Sequence, residues 1–319
     1  MRTLCNLLLS VVLGSCAGSI DSQAHRGGRG LLPENSLPAF ANALKMGVTT
    51  LELDTAITRD GVVVIGHDPV LNPDFTRGPD GKWLTQKGPS IYSLTFAELQ
   101  QYDIGRINPV SKYAKQFPSQ RAIDGLRFAT LGELFAQVNA SGDARVRFSI
   151  ETKITPFQRD ETVGPEEFVN ALLRVIDAHG MRSRVSLQSF DWRTLKIAQQ
   201  KAPSIPTAYL SVQQKFFDNI GAGTREGSAW TAGLNAREFA DSVPRMVKAA
   251  GGAVWSPHFR DIDEAKLKEA QALGLRVIAW TVNEASDIER MLDWKVDGII
   301  SDYPDRARTR LSVRGIRVQ

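Results

Sequence analysis

The most informative part of the sequence, residues 23–69, reads QAHRGGRGLLPENSLPAFANALKMGVTTLELDTAITRDGVVVIGHDP. We predict a strand over residues 20–25, a helix over 37–46 and a second strand over 50–55. Ser36 precedes the helix and Gly47 follows it, which is the pattern of a helix capped at both ends. The local unit is therefore strand, helix, strand, which is the repeating element of parallel α/β folds.

The end of this stretch predicts a β-hairpin. Two strand-like runs, 56–58 and 62–65, are separated by only three residues, Arg-Asp-Gly. A parallel crossover needs about a dozen residues or more, so the two runs must be antiparallel. A two-residue turn within Arg-Asp-Gly sets His67 opposite either Glu52 or Asp54, depending on which two residues form it. Either register places His67 beside both carboxylates.

The alternation of strands and helices continues along the chain. Further strands are predicted over residues 145–153, 185–190, 207–211, 253–256, 276–282 and 298–301, and further helices over 95–102, 130–139, 166–179, 192–200, 236–249, 263–273 and 285–294. Without the hairpin there are eight strands, and eight strands alternating with helices predict a TIM (β/α)8 barrel. Residues 68–125 are then a long insertion in the second strand-to-helix loop, on the active-site face, and residues 216–233 form a loop on the same rim.

The N-terminal residues predict export. A positive Arg2 is followed by a largely apolar run, 4–13, which is too short to span a bilayer but suits a secretory signal. Residues 13–16 resemble a lipoprotein cleavage box, with Cys16 as the lipidated residue, and plain cleavage near Gly18 is the alternative. We predict a signal peptide over 1–18, a barrel domain over 19–319, and a periplasmic or extracellular protein whose only membrane attachment would be a lipid at Cys16.

The composition limits the classes of partner. The net charge is +4, and Lys and Arg are scattered without interleaved aromatic residues, which argues against nucleic acid. A mild positive excess suits a small anionic substrate. Both cysteines, Cys5 and Cys16, lie in the predicted signal, so the predicted domain has no disulfide. The sequence predicts no particular oligomeric state.

Three carboxylates are predicted to meet at the carboxyl ends of two barrel strands. Glu52 and Asp54 are one residue apart, so both point to one face of a strand. Glu151 and Lys153 repeat this spacing at the end of the third barrel strand. Converging carboxylates need a cation, and oxygen ligands favour a hard divalent ion, Ca²⁺ or Mg²⁺. The alternative is a set of rim carboxylates paired with Arg and Lys.

Two of the four histidines fall beside these carboxylates. His25 ends the first strand and His67 follows the hairpin, and together they are interpreted as an acid and base pair. Taken singly, a histidine in such a position is more often a packed core residue. Arg26 and Lys153 are predicted to contact phosphate oxygens, with a structural ion pair to Glu151 as the alternative for Lys153.

Seven short motifs occur in the order found in one enzyme family. They are His-Arg-Gly at 25–27, Pro-Glu-Asn at 33–35, Glu-x-Asp at 52–54, Asp-Gly followed by His-Asp-Pro at 60–69, Glu-x-Lys at 151–153, Leu-Gln-Ser-Phe at 187–190 and Trp-Thr-Val-Asn at 280–283. Over residues 23–304 the chain resembles the glycerophosphodiester phosphodiesterase family, and its insertion is similar to that of exported bacterial members. One departure is Ser36, where Thr is commoner.

The resemblance implies a TIM barrel and assigns a role to ten residues. His25 and His67 would be the acid/base pair, Glu52, Asp54 and Glu151 would hold the metal, Arg26 and Lys153 would contact phosphate, and Gln188, Phe190 and Trp280 would line the pocket.

The predicted activity is metal-dependent hydrolysis of a small glycerophosphodiester to sn-glycerol 3-phosphate and an alcohol. Two alternatives stay open. One is a phospholipase D-like activity of a related barrel on lysolipids. The other is a non-catalytic surface lipoprotein.

Overall fold

The structure is a computed structural model that describes residues 19–158, 160–221, 224 and 226–318. Its centre is a closed ring of eight parallel strands, because the first strand pairs with both the second and the last. The strands are β1 (Ser19–Ala24), β2 (Thr50–Ile57), β3 (Arg147–Thr152), β4 (Val185–Ser189), β5 (Thr207–Ser211), β6 (Val254–Pro257), β7 (Arg276–Ala279) and β8 (Gly298–Ser301). The predicted TIM barrel is confirmed.

Helices surround the ring. They are α1 (Leu37–Met46), α2 (Leu131–Ala140), α3 (Pro165–Ala178), α4 (Trp192–Lys201), α5 (Val243–Ala249), α6 (Glu264–Ala272), α7 (Ala285–Trp294) and α8 (Pro304–Val313). Ser36 caps α1 by accepting a hydrogen bond from the Ala39 amide, and Gly47 ends it with a φ of 69°. Helix α8 and a short pairing of Arg317–Val318 with β1 are missing from the sequence-based prediction.

Two predicted helices are shorter in the structure. The helix expected over 236–249 is divided into a 3₁₀ turn, Ala236–Phe239, and α5, because Ala240 and Asp241 have φ angles of 54° and 58°, which a right-handed helix does not allow. The helix expected over 95–102 is a single turn, Phe96–Leu99.

Along each strand, successive side chains point alternately to the inside of the ring and to the layer between the ring and the helices. The apolar side chains that point outward, such as Leu53, Phe148 and Leu187, are fully buried in the main core. Inside the ring, a smaller apolar cluster of Ala208, Val254, Ile278 and Ile300 fills the β5–β8 side. Because the strand period is two residues, Glu52, Asp54 and Glu151 point inward at the carboxyl ends of β2 and β3.

The hairpin is present, but its register differs from both expected registers. Val63–Ile65 runs antiparallel to β2, with Thr55 opposite Ile65. The Thr58 amide donates to the Val62 carbonyl and the Gly61 amide to the Thr58 carbonyl, so the loop has three residues. Gly61 has a φ of 81°, which suits the third position of such a loop. The extra loop residue puts His67 level with Leu53 rather than with either carboxylate.

Residues 68–125, between the hairpin and α2, contain only short helical turns. A separate small core holds them against the face of the hairpin that carries Ala56 and Val64, and it consists of Ala56, Val64, Leu71, Ile91, Leu99, Ile104 and Phe128. The predicted signal peptide, residues 1–18 with Cys16, lies outside the described residues. Among the described residues, every helix is too short or too polar to cross a bilayer.

Candidate active site

Glu52, Asp54 and Glu151 form an acidic cluster at the carboxyl ends of β2 and β3. The parallel register sets Asp54 beside Glu151, and Glu52 points the same way two residues earlier. One oxygen from each carboxylate lies within 4.8 Å of the others. All three side chains are buried, so the convergence predicted from the spacing of the motifs is confirmed.

Burial and mutual repulsion disturb the ionisation of this cluster. Burial, together with the neighbouring charge of Asp54, raises the pKa of Glu52 well above its ordinary value. Burial also raises the pKa of Glu151 to about 7, although Lys153 acts in the opposite direction. For Asp54 burial is outweighed by His67, Arg26 and Lys153, which hold its pKa below the usual range. The cluster therefore lacks the positive charge needed to keep all three groups ionised.

Two cations belong to the cluster. Lys153 Nζ lies 3.0 Å from Glu151 Oε1 and 3.9 Å from Asp54 Oδ1. Arg26 Nε lies 3.3 Å from Asp54 Oδ2, and Arg26 Nη1 donates to Glu34 Oε1 at 2.7 Å. With Glu34 included, four carboxylates face two cations, which leaves two negative charges when all are ionised. That deficit and the oxygen-only donor set fit a hard divalent cation.

The chain bends after β1, and this bend brings the backbone amide of Arg26 to the acidic cluster. Arg26 has a φ of 51°, and its amide donates to Glu52 Oε2 at 2.8 Å. Gly27 follows with a φ of 79°, and a Cβ there would lie 2.9 Å from the Ala39 Cβ on α1. Only glycine fits this position without displacing the helix. The His-Arg-Gly sequence is thus needed for the path of the chain as well as for its side chains.

His25 is held by a carboxylate from the other end of the chain. Its Nδ1 lies 2.6 Å from Asp302 Oδ1, directly after β8, and its Nε2 lies 4.0 Å from Glu52 Oε2. Arg29 Nε and Asn283 Nδ2 also donate to Asp302, at 2.6 and 2.7 Å. Burial opposes the ionisation of Asp302, but Arg29 and His25 outweigh it and hold its pKa below the usual range.

An ionised Asp302 can only accept hydrogen bonds, so Nδ1 of His25 carries the proton. The ring is neutral at ordinary pH because burial lowers the pKa of His25 to about 4, against the opposing effect of Asp302. The Nε2 atom is then the unprotonated nitrogen, and it is on the side of the acidic cluster.

His67 has the same kind of partner as His25. Its Nδ1 lies 2.8 Å from Asp68 Oδ1, and Asn72 Nδ2 donates to the second oxygen of Asp68 at 2.7 Å. Burial lowers the pKa of His67, and the charges of Arg26 and Lys153 lower it further. Each histidine therefore has a carboxylate on Nδ1 and Nε2 left over for other contacts.

A cavity of about 720 Å³ brings the predicted site residues together. Nine of the ten line it, and Asp54 lies beside it within the acidic cluster. Gln188 donates from Nε2 to Glu52 Oε1 at 2.6 Å, so it orients the cluster as well as lining the cavity. Phe190 and Trp280 form one wall, with ring centroids 5.3 Å apart. The remaining histidines have packing roles: His258 contacts Trp280, and His179 contacts Phe135.

Several residues with clear contacts in the site were not predicted. Asp302 and Arg29 are absent from the predicted site, although Asp302 directly follows β8 and Glu151 lies near the end of β3. Asp68 is named only as part of the His-Asp-Pro motif, and its position next to His67 in the sequence could have identified it as a site residue. Glu34, in the Pro-Glu-Asn motif, is not among the ten predicted site residues, but it binds Arg26 and accepts a hydrogen bond from the Tyr113 hydroxyl.

Comparisons with known proteins match one family over most of the chain. The model of the "Glycerophosphoryl diester phosphodiesterase family" matches residues 25–306. The glycerophosphodiester phosphodiesterase of Bacillus subtilis (strain 168) is 26% identical over 287 residues, covering 88% of this chain and 83% of the relative.

Solved structures agree in fold. A crystal structure from Silicibacter pomeroyi DSS-3, whose name places it among the glycerophosphoryl diester phosphodiesterases, is 34% identical with a TM-score of 0.83, and the match covers 94% of this chain and 95% of that one. An Oleispira antarctica phosphodiesterase, in complex with the product sn-glycerol-3-phosphate, is 23% identical with a TM-score of 0.66 over 92% of this chain and 96% of that one.

Proposed function

Since the chain belongs to the glycerophosphoryl diester phosphodiesterase family, we propose that it hydrolyses glycerophosphodiesters to sn-glycerol 3-phosphate and an alcohol. The product follows the sn-glycerol-3-phosphate complex of the Oleispira antarctica phosphodiesterase. The observation that carries the proposal is the position of His25 and His67, which line the same cavity as the acidic cluster, each with a carboxylate on Nδ1.

The acidic cluster is the proposed site of a divalent ion, Ca²⁺ or Mg²⁺. Glu52, Asp54 and Glu151 would hold it, and the two unbalanced negative charges around them support a charge of two on the ion. When bound, such an ion supplies Lewis-acid polarisation of a phosphoryl oxygen.

The chain's own groups would carry the proton transfers. One histidine would accept the proton of the nucleophile, water or a glycerol hydroxyl, at Nε2. The other would enter the step protonated on both ring nitrogens and would give its Nε2 proton to the leaving alcohol. Positioned acid and base groups of this kind contribute roughly 10²- to 10⁴-fold each. Asp302 and Asp68 would stabilise whichever ring is protonated, because each carboxylate lies within 2.8 Å of its Nδ1.

Positive charge at the cavity would neutralise the phosphate oxygens. Lys153 and Arg26 line the cavity and stay charged, since neighbouring carboxylates overcome burial and raise the pKa of both side chains. Arg26 already binds Glu34 and lies close to Asp54, so its position is fixed before substrate arrives. Preorganised cations of this kind act more strongly on a transition state than mobile ones.

A phosphodiesterase assay on glycerophosphocholine tests the proposal. We expect turnover in the purified protein, loss of turnover with EDTA, and recovery when Ca²⁺ or Mg²⁺ is added back. His25→Ala should lower kcat at least roughly 100-fold, whereas the matched control His179→Ala, which changes a histidine outside the cavity, should keep kcat within about threefold.

Two results would contradict the proposal. Turnover that survives EDTA would remove the metal from the mechanism. A protein without turnover on glycerophosphodiesters under any metal condition would instead support a non-catalytic role.

We also propose that the chain is exported, on the sequence of residues 1–18 alone. N-terminal sequencing of the mature protein tests this, because a first residue at Cys16 indicates a lipoprotein, one near 19 indicates plain cleavage, and an intact Met1 contradicts export.

A further inference from the structure

A second cavity lies at the other end of the barrel, where the strands begin, and we call it the amino-terminal cavity. Its volume is about 270 Å³, close to the lower end of the roughly 300–1,000 Å³ that small-molecule sites occupy. Gln188 and Ile300 line both cavities, so these two side chains lie between the amino-terminal cavity and the active site. Residues at this end of a TIM barrel ordinarily serve stability, so a ligand here would have a role apart from the catalytic step.

The charged groups of the amino-terminal cavity are unbalanced. Four arginines and one carboxylate line it, and they are Arg147, Arg182, Arg184, Arg276 and Asp21. Arg182 donates from Nη2 to Asp177 Oδ2 at 2.8 Å, and Asp177 lies outside the cavity. Arg184 donates at 2.9 and 2.8 Å to the backbone carbonyls of Val146 and Asp143, which carry no charge. Among the described residues, three arginines of the cavity therefore share one carboxylate.

Asp21, on β1, lies near arginines from two other strands. Its Oδ2 is 3.5 Å from Arg276 Nη2 on β7 and 4.0 Å from Arg147 Nη2 on β3. Thr50 donates to Asp21 Oδ1 at 2.7 Å and Gln23 Nε2 donates to Oδ2 at 3.0 Å, so the carboxylate is fixed. The side chains of Arg147 and Arg276 are 40% and 42% exposed, so a ligand that enters from solvent can reach both guanidinium groups.

Two polar atoms of the amino-terminal cavity lack a hydrogen-bond partner within the part of the chain that the structure describes. They are Gln23 Oε1, which is an acceptor, and Arg276 Nη2, which is a donor. Gln23 is only 3% exposed, and buried polar groups are nearly always hydrogen-bonded. An unsatisfied acceptor and an unsatisfied donor on the residues that surround Asp21 indicate a position for a ligand that offers a hydrogen to one and a negatively charged oxygen to the other.

The loops around this end of the barrel favour the approach of a small anion. The seven helix-to-strand loops carry four basic and two acidic residues, which are Arg145, Arg182, Arg184, Lys295, Asp143 and Asp297. An excess of positive charge around a concave site raises the local concentration of anions and speeds their binding.

We propose that the amino-terminal cavity binds inorganic phosphate. At neutral pH phosphate has charged oxygens for the arginines, whose planar fork can bind two oxygens at once. It also keeps at least one P–OH group, which can donate to Gln23 Oε1. Sulfate has the same shape without a proton at this pH, and a phosphate monoester loses its last P–OH proton at about pH 6. The proposal is independent of the phosphodiesterase function, because it concerns the cavity on the other side of Gln188.

Calorimetry at pH 8 on EDTA-treated protein tests the site. Phosphate can also bind in the active site through Arg26 and Lys153, so the titrations use the Lys153→Gln variant. We expect one phosphate to bind per chain. Sulfate and methyl phosphate should bind at least roughly tenfold more weakly, because neither has a proton to give to Gln23 and a buried acceptor would stay unpaired. The methyl phosphate titration also separates free phosphate from a phosphate ester as the ligand.

Two further variants and a matched control, all made in Lys153→Gln, locate the ligand. Arg276→Gln should weaken phosphate and sulfate binding alike, at least roughly tenfold, because a charged hydrogen-bond donor is lost. Gln23→Leu should weaken phosphate binding at least roughly tenfold and leave sulfate binding in place, which also shows that this variant is folded. Arg290→Gln removes an arginine that is 41% exposed and paired with Asp287 on α7, away from both cavities, and should leave both affinities unchanged.

Three results would overturn the inference. They are the absence of phosphate binding to Lys153→Gln, an affinity for sulfate equal to that for phosphate, and a phosphate affinity that is unchanged in Arg276→Gln. Turnover of glycerophosphocholine by the wild-type protein tests the proposed function separately, so either conclusion can fail while the other stands.

Discussion

Replacing Asp302 with Asn should place the proton of His25 on the wrong nitrogen. Asp302 accepts hydrogen bonds from His25, Arg29 and Asn283. An Asn side chain must direct its NH₂ group to one of these three partners. Arg29 has no lone pair to accept it, and Asn283 is fixed because its Oδ1 already accepts the backbone amide of Asp302 at 2.9 Å. Only His25 can respond, by accepting at Nδ1 and carrying its proton on Nε2.

With His25 as the base, the expected loss in kcat is about 10³-fold, within the range of 10²- to 10⁴-fold that a positioned base contributes. The corresponding Asp-to-Asn change in a serine protease triad costs about 10⁴-fold through the same change of tautomer. Stability should fall by about 1.5–3 kcal/mol, because Arg29 loses a charged hydrogen-bond partner. The variant should therefore remain folded under assay conditions.

Two measurements and one control make this prediction specific. Steady-state kinetics on glycerophosphocholine give kcat, and ¹⁵N NMR of the imidazole should show the proton moving from Nδ1 to Nε2 of His25. Asp191→Asn is the matched control, since Asp191 is also a fully buried carboxylate bound to an arginine, Arg193, but has no histidine partner. Folded Asp302→Asn with kcat within tenfold of wild type, or an equal loss in Asp191→Asn, would refute the tautomer argument.

Three further predictions concern the acidic cluster and the histidines. Glu151→Gln should weaken Ca²⁺ or Mg²⁺ binding at least roughly tenfold in calorimetry, because ligand charge sets affinity for hard ions; unchanged affinity would show that the ion binds elsewhere. Burial raises the pKa of Glu151 to about 7, so binding of the ion at pH 6 should release more protons than binding at pH 8. Calorimetry in two buffers of different ionisation enthalpy measures the number of protons released, and equal release at both pH values would contradict this. A substrate with a 4-nitrophenol leaving group does not need a general acid, so of His25→Asn and His67→Asn only the variant that lacks the acid should regain turnover on it. Regained turnover in both variants or in neither would rule out the division of roles.

The barrel was predictable because its signals are local. The apolar strands, the cap at Ser36 and the Glu-x-Asp spacing each depend on residues close in sequence, and parallel strands bring their carboxyl ends to one face of the fold. This rule predicts that Glu151 lies beside Asp54, although the two are nearly 100 positions apart in the sequence, and the strand register agrees.

The contacts missed by the sequence analysis depend on exact backbone geometry. The hairpin loop has one residue more than the expected turns because Gly61 has a positive φ and Asp60 does not, whereas a type I′ turn of Asp60 and Gly61 needs both. Ala240 and Asp241 end a helix that composition alone would continue. Asp302 could have been found only by extending the strand-end rule to β8.

The pairing of β1 with β8 has a consequence for biosynthesis. His25 is among the first described residues to be made, and Asp302 is among the last, yet the two side chains meet across the seam where the ring of strands closes. A growing chain that already contains both histidines and every carboxylate of the acidic cluster still lacks the partner of His25. Turnover would thus begin only after β8 and Asp302 have left the ribosome, and a protein truncated before β8 would not cleave its substrate.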